Sequence, residues 1–135
     1  MLSRLLLVFL VALGGASAFA AEPPGGPFLA DLMKQPSYRA AWTGMLAGQT
    51  IPAWVESYLT TLDGPPTPSI EIPAGGDTYT LAFTCKPNEC ADNQLYVLFS
   101  RSGAKAWGLL VTGAQQTWLG APDKAIQEAI LSGIE

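Results

Sequence analysis

Two cysteines separated by four residues, in the string Cys85-Lys-Pro-Asn-Glu-Cys90, are the residues whose type and spacing most invite chemistry. A redox dithiol normally has two residues between its cysteines and sits beside a βαβ unit; four intervene here, and no such unit is readable. A zinc site needs two more soft ligands, and the chain has no other cysteine and no histidine. A disulfide is the expectation for neighbouring cysteines in an oxidising compartment. Closing a ring of six residues stabilises a fold by only about 2 kcal/mol in the chain-entropy account. Such a bridge shapes a small ring more than it holds a domain together, and Pro87 removes further freedom from that ring. Two readings stay open on these residues. The ring pins a hairpin turn and nothing more, or it pre-organises a polar tip (Lys86, Pro87, Asn88 and Glu89) for a partner.

The rest of the composition narrows the chemistry. Zero histidines among 135 residues exclude His-based triads, His-metal sites and imidazole general bases. Seven Lys and Arg against 11 Asp and Glu argue against a nucleic-acid footprint, which needs clustered positive charge. Glu71, Asp77 and Asp92 show no paired spacing beside a nucleophile and read as turn or strand-end carboxylates, so no enzyme and no cofactor are expected.

Residues 1–20 read as a signal peptide. Arg4 supplies the positive n-region, residues 5–13 an apolar h-region, and Ala18-Phe19-Ala20 an A-x-A cleavage signal. The apolar run is about half the roughly 20 residues a membrane span needs, so no span is expected after cleavage. No twin arginine is present, and no cysteine follows the h-region. Cleavage after Ala20 removes one charge, Arg4, and makes the chain one unit more acidic than its formal −4. The expected product is an exported, periplasmic, acidic chain.

The elements that must position the loop follow from periodicity. Residues 21–27, with three prolines and two glycines in the last six, read as a flexible leader, and residues 28–135 as one domain. Pro36 suits a first helical turn, and Tyr38, Ala41, Trp42, Met45 and Leu46 then make an apolar helical stripe before Gly48. Past the break at residues 63–68 the period changes to two. Tyr79, Leu81 and Phe83 alternate with polar or small residues, as in a half-buried strand. Residues 95–99 and 107–111 are continuously apolar and predict central strands covered on both faces, joined by a Gly-containing hairpin turn at residues 101–104. Residues 70–72 and 116–119 suit edge strands. Pro122 at the first helical position and Asp123 in the first turn would open a final helix that Gly133 would stop. The expectation is an α+β domain: an antiparallel sheet of about five strands with helices packed on it. Apolar edge strands could support a homodimer.

Several strings beyond the loop carry a resemblance. Cys85-Lys-Pro-x-x-Cys90, Tyr38-Arg-Ala-Ala-Trp42, Pro52-Ala-Trp-Val55, Leu95-Tyr-Val-Leu-Phe-Ser100, Ala106-Trp-Gly-Leu-Leu-Val111 and Trp118-Leu-Gly-x-Pro122 resemble the Ivy family, periplasmic inhibitors of vertebrate lysozyme. The resemblance implies an antiparallel sheet with helices packed on one face and the disulfide loop protruding, and a c-type lysozyme as partner, with Lys86, Pro87, Asn88 and Glu89 docking into its cleft and occluding it. The family loop typically reads Cys-Lys-Pro-His-Asp-Cys, its histidine engaging the catalytic carboxylates. Here Asn88 stands in place of that histidine and Glu89 in place of the aspartate. The departure leaves a second reading: a family member without vertebrate-lysozyme inhibition, bound to another periplasmic target such as an endogenous lytic transglycosylase or a cell-wall fragment.

Overall fold

The computed structural model describes residues 25–135, together with Gly14 upstream. Apart from Gly14, the signal-peptide segment lies outside these, as do residues 21–24 of the leader. In chain order the elements are α1 (Leu29–Leu32), α2 (Pro36–Leu46), α3 (Ala53–Glu56), α4 (Tyr58–Thr61), β1 (Ile70–Ala74), β2 (Asp77–Cys85), β3 (Asn93–Phe99), β4 (Ala106–Thr112), β5 (Gln115–Leu119) and α5 (Lys124–Ile134). The five strands form one antiparallel meander in the order β1-β2-β3-β4-β5. This is the expected α+β architecture.

The helix α2 forms where its stripe predicts. Pro36 sits in its first turn, and Ala41, Trp42 and Met45 are its buried residues. They pack with Leu32, Met33, Val55 and Tyr58 of the other N-terminal helical segments onto Ala82, Leu95, Val97, Phe99, Leu110 and Leu119 of the sheet. Trp42 and Phe99 are at most 1% exposed, so this layer is the larger core.

The opposite face is not left open. Leu81, Leu98, Leu109 and Ile72 pack there against Ile126, Ala129 and Ile130 of α5. The helices therefore divide between the two faces, four on one and α5 on the other, rather than sharing one face. The reason is visible in β3 and β4, whose continuously apolar runs need cover on both sides. The strand β2 departs from expectation for the same reason. Leu81 on one face and Ala82 and Thr84 on the other are all buried, because β1 covers its edge and helices cover both faces.

Two ends of α5 also differ from the pattern read in the sequence. Asp123 is the N-cap rather than a first-turn residue, and its carboxylate accepts a hydrogen bond from the Ile126 N–H at 2.9 Å. Such a cap contributes about 1 kcal/mol. Gly133 does not stop the helix, which runs to Ile134. A Cβ there would overlap Leu81 Cδ2 and lie 2.9 Å from Ile72 Cδ1, so this glycine lets α5 approach the sheet.

At the other end of the domain, Gly26 donates its N–H to the Ser69 carbonyl at 2.6 Å, and the Ser69 hydroxyl donates to the Pro27 carbonyl at 2.6 Å. The contacts of the domain thus begin within the segment read as leader. No helix among the described residues is long and apolar enough to cross a membrane.

Candidate functional site

The loop between β2 and β3 carries the four candidate partner-binding residues, Lys86, Pro87, Asn88 and Glu89, whereas Glu71 lies in β1 and Asp77 opens β2. Cys85 closes β2, facing Gln94 of β3, and is bonded to Cys90 across a Cα separation of 5.0 Å. The pairing of the strands continues one step further, with the Lys86 N–H donating to the Asn93 carbonyl at 3.0 Å. From there the chain reverses. The Glu89 N–H donates to the Lys86 carbonyl at 3.0 Å, enclosing Pro87 and Asn88, and Asn88 has φ +65°. Proline at the second position and a left-handed residue at the third describe a type II turn.

This backbone explains the residue types. Proline presets the φ of the second turn position, and the third demands positive φ, which costs an ordinary residue about 1–2 kcal/mol. Asparagine, aspartate and histidine are the non-glycine residues enriched in that region. Asn88 therefore satisfies the same backbone that a histidine would. Its side chain is exposed and makes no hydrogen bond to any described residue, leaving the amide free to donate and to accept. The ammonium of Lys86 is paired with the Glu89 carboxylate beneath the tip. Both are well exposed, where such a pair contributes little energy. Its consequence here is that the two charges of the loop neutralise each other.

The base of the loop is held from several sides. Asn93 Nδ2 donates to the Glu89 carbonyl at 3.3 Å, as does the Asp92 N–H at 3.3 Å. The Gly113 N–H, from the turn between β4 and β5, donates to the Asp92 carbonyl at 2.8 Å. With the disulfide, these bonds fix the tip before any partner arrives, so less ordering cost remains for binding.

A second element reaches the site that the sequence did not mark as functional. Asp63, Gly64 and Pro65, in the connection from α4 to β1, face Lys86, Pro87 and Asn88 across one groove. Leu62 ends α4 in the left-handed region at φ +51°. Gly64 then lies so close to β2 that a Cβ would overlap Thr84 Oγ1. In the sequence residues 63–65 read only as a chain break, and the Gly-Pro-Pro string does predict a turn. What it lacks is any local signal that the turn packs beside the residue preceding Cys85.

Behind Gly64 and Thr84, Tyr58 is 3% exposed. Burial pushes its phenol up to about 12; the Thr84 hydroxyl pulls the other way without completing a well-formed hydrogen bond, and Asp31 adds a small upward push. This phenol stays neutral at ordinary pH and packs against Gly64 and Thr84 rather than acting as acid or base. Among the described residues no group of three or more His, Cys, Asp and Glu side chains is placed to hold a metal ion.

The domain that carries this loop matches a known family. The family model described as "Inhibitor of vertebrate lysozyme (Ivy)" matches residues 37–130, which is more than half of the chain and includes the whole loop. The chain belongs to the Ivy family. An Ivy relative from Pseudomonas aeruginosa, named "Inhibitor of vertebrate lysozyme", is 33% identical over 149 residues, covering 98% of this chain and 94% of the relative. An uncharacterized protein of Yersinia pestis is 32% identical over 123 residues, covering 81% and 77%. An Escherichia coli protein, also named "Inhibitor of vertebrate lysozyme", is 29% identical over 101 residues, covering 70% of this chain and 61% of its own length. The Ivy match also takes in residues 63–65, so both walls of the groove lie within it, together with nearly all of α2 and most of α5.

Proposed function

We propose that this protein is an exported inhibitor of a c-type lysozyme that acts by occlusion, inserting the Pro87-Asn88 turn into the partner's catalytic cleft. The observation that carries the proposal is the rigid, disulfide-closed turn that presents an unpartnered Asn88 amide at positive φ. The names of the Pseudomonas aeruginosa and Escherichia coli relatives support the target class. Export to the periplasm is supported by the signal-like residues 1–20 and by the disulfide, a bond that persists in oxidising compartments.

The chemistry asked of the loop is modest. A retaining glycosidase holds two carboxyl groups about 5–5.5 Å apart, one ionised and one kept protonated as general acid. The NH2 of an Asn amide donates to the ionised group and its carbonyl accepts from the acid. No bond is made or broken in the inhibitor. An acidic chain also favours encounter with a basic partner.

Asn88 favours a second reading at the same site. A neutral amide cannot gain a proton as an imidazole can, so the loop suits a target whose cleft presents a weaker negative field, such as an endogenous lytic transglycosylase. The test is inhibition of a vertebrate c-type lysozyme by the purified mature protein and by Asn88→His. Charge assistance contributes roughly 1–2 kcal/mol, so Asn88→His is expected to inhibit about five- to thirty-fold more tightly than the wild type. Loss of inhibition in both proteins, with a titration against lytic transglycosylases then positive, would move the assignment to the second target.

A further inference from the structure

Resting on the lysozyme-cleft proposal, we infer that Asp63 is a second contact of the docking surface, recognising a basic side chain on the rim of the partner's cleft. Three observations meet at this residue. Asp63 lies in the wall that faces Lys86, Pro87 and Asn88 across the groove, so a partner that receives the turn tip comes against this wall as well. Its carboxylate is exposed and forms no ion pair with any described residue, while Lys86 and Glu89 cancel each other. Wall and loop together, counting Glu89, therefore carry one net negative charge, and Asp63 is its source.

The wall is also built to stay in place. Leu62 at φ +51° turns the chain, Gly64 seats it within contact of Thr84, and Pro65 and Pro66 stiffen the path toward β1. The Asp63 N–H donates to Thr61 Oγ1 at 3.3 Å. Because Thr84 immediately precedes Cys85, the wall and the disulfide ring share one base, and the carboxylate is carried at a fixed offset from the Asn88 tip. A solvent-exposed charge in such a position steers encounter and selects partners by sign more than it adds raw affinity. The inference is thus one of specificity: the loop blocks a cleft, and Asp63 restricts which clefts are approached to those with a cationic rim.

The experiment measures association of the full mature chain with a vertebrate c-type lysozyme, at about 20 mM and about 500 mM salt, for wild type, Asp63→Asn and Asp63→Lys. Asp77→Asn serves as control: Asp77 opens β2 at the end away from the loop, about 27 Å along a nine-residue strand. That separation exceeds the Debye length even in the low-salt arm, about 22 Å at 20 mM. Association at low salt is expected to fall about two- to five-fold for Asp63→Asn and at least about ten-fold for Asp63→Lys, with the differences shrinking at high salt. Melting temperatures should stay together, and Asp77→Asn should follow the wild type. The inference is overturned if Asp63→Asn and Asp63→Lys bind as the wild type does, if the two lose binding equally, or if Asp77→Asn loses as much. Asp63 variants that bind as the wild type does, alongside a weakened Asn88→Gly measured in the same way, remove Asp63 alone and leave the loop proposal standing. A wild type that binds no lysozyme removes both.

Discussion

Replacing Asn88 by glycine separates what the loop backbone does from what the amide does. Asn88 sits at φ +65°, a conformation glycine adopts without the steric cost paid by other residues. The turn, the Lys86–Glu89 hydrogen bond and the disulfide do not depend on the amide, which bonds to no described residue. Stability should therefore change by less than about 1 kcal/mol. Inhibition should change much more. Hydrogen bonds to charged carboxyl groups contribute about 1.5–3 kcal/mol, so loss of the amide should weaken inhibition roughly ten- to 150-fold. Asn88→Asp adds a sign test: aspartate tolerates the same backbone but brings a negative charge toward an ionised carboxylate, and should inhibit less well than Asn88→Gly. Asn88→Val, β-branched, should lose about 1–2 kcal/mol of stability or rearrange the turn. The assay is the rate of cell-wall lysis by a c-type lysozyme against inhibitor concentration, with a thermal melt of each variant. Wild-type inhibition by Asn88→Gly, or stronger inhibition by Asn88→Asp, would refute the reasoning that the amide engages the carboxylates.

The same geometry sets three further outcomes. Cys85→Ala/Cys90→Ala should fold with a loss of about 2 kcal/mol by denaturant titration, while inhibition falls by a larger factor because the turn must be ordered on binding. Gly64→Ala, whose Cβ would overlap Thr84 Oγ1, should cost about 1–3 kcal/mol, and Thr84→Ala in the same chain should recover part of that loss by removing the clash. Tyr58 should make stability fall at alkaline pH: its folded pKa of about 12 exceeds the unfolded value of 10.0, so its contribution is complete below pH 10 and is lost as pH rises toward 12. The loss approaches about 3 kcal/mol, and chemical denaturation of Tyr58→Phe should show a shallower decline across that window.

Much of the fold is legible in the chain itself, for local reasons. The stripe of Tyr38, Ala41, Trp42, Met45 and Leu46 specifies one helix and its buried side, and the apolar runs at residues 95–99 and 107–111 specify strands covered twice. The loop is legible because its chemistry is contiguous: two cysteines, a proline and an asparagine determine a closed turn within six residues. Where the sequence misleads, the deciding contact lies far along the chain. Gly133 resembles a helix stop, yet its glycine is required by Leu81 and Ile72, more than 50 residues away. The alternation in residues 78–84 suggests one buried face, because Ala82 and Thr84 are small or polar; they are buried by helices whose position no local pattern encodes. Residues 63–65 are the same case within the site. A Gly-Pro-Pro turn is obvious, but its place beside Asn88 depends on the packing of Gly64 on Thr84.

The central claim is occlusion of a catalytic cleft by the Cys85–Cys90 loop, and competition tests it most directly. Binding of the mature protein to a c-type lysozyme is measured while a cell-wall oligosaccharide that occupies the cleft is titrated in. The account predicts mutually exclusive binding, with the apparent dissociation constant rising linearly with the concentration of free oligosaccharide. Binding that is unchanged at saturating oligosaccharide would contradict it.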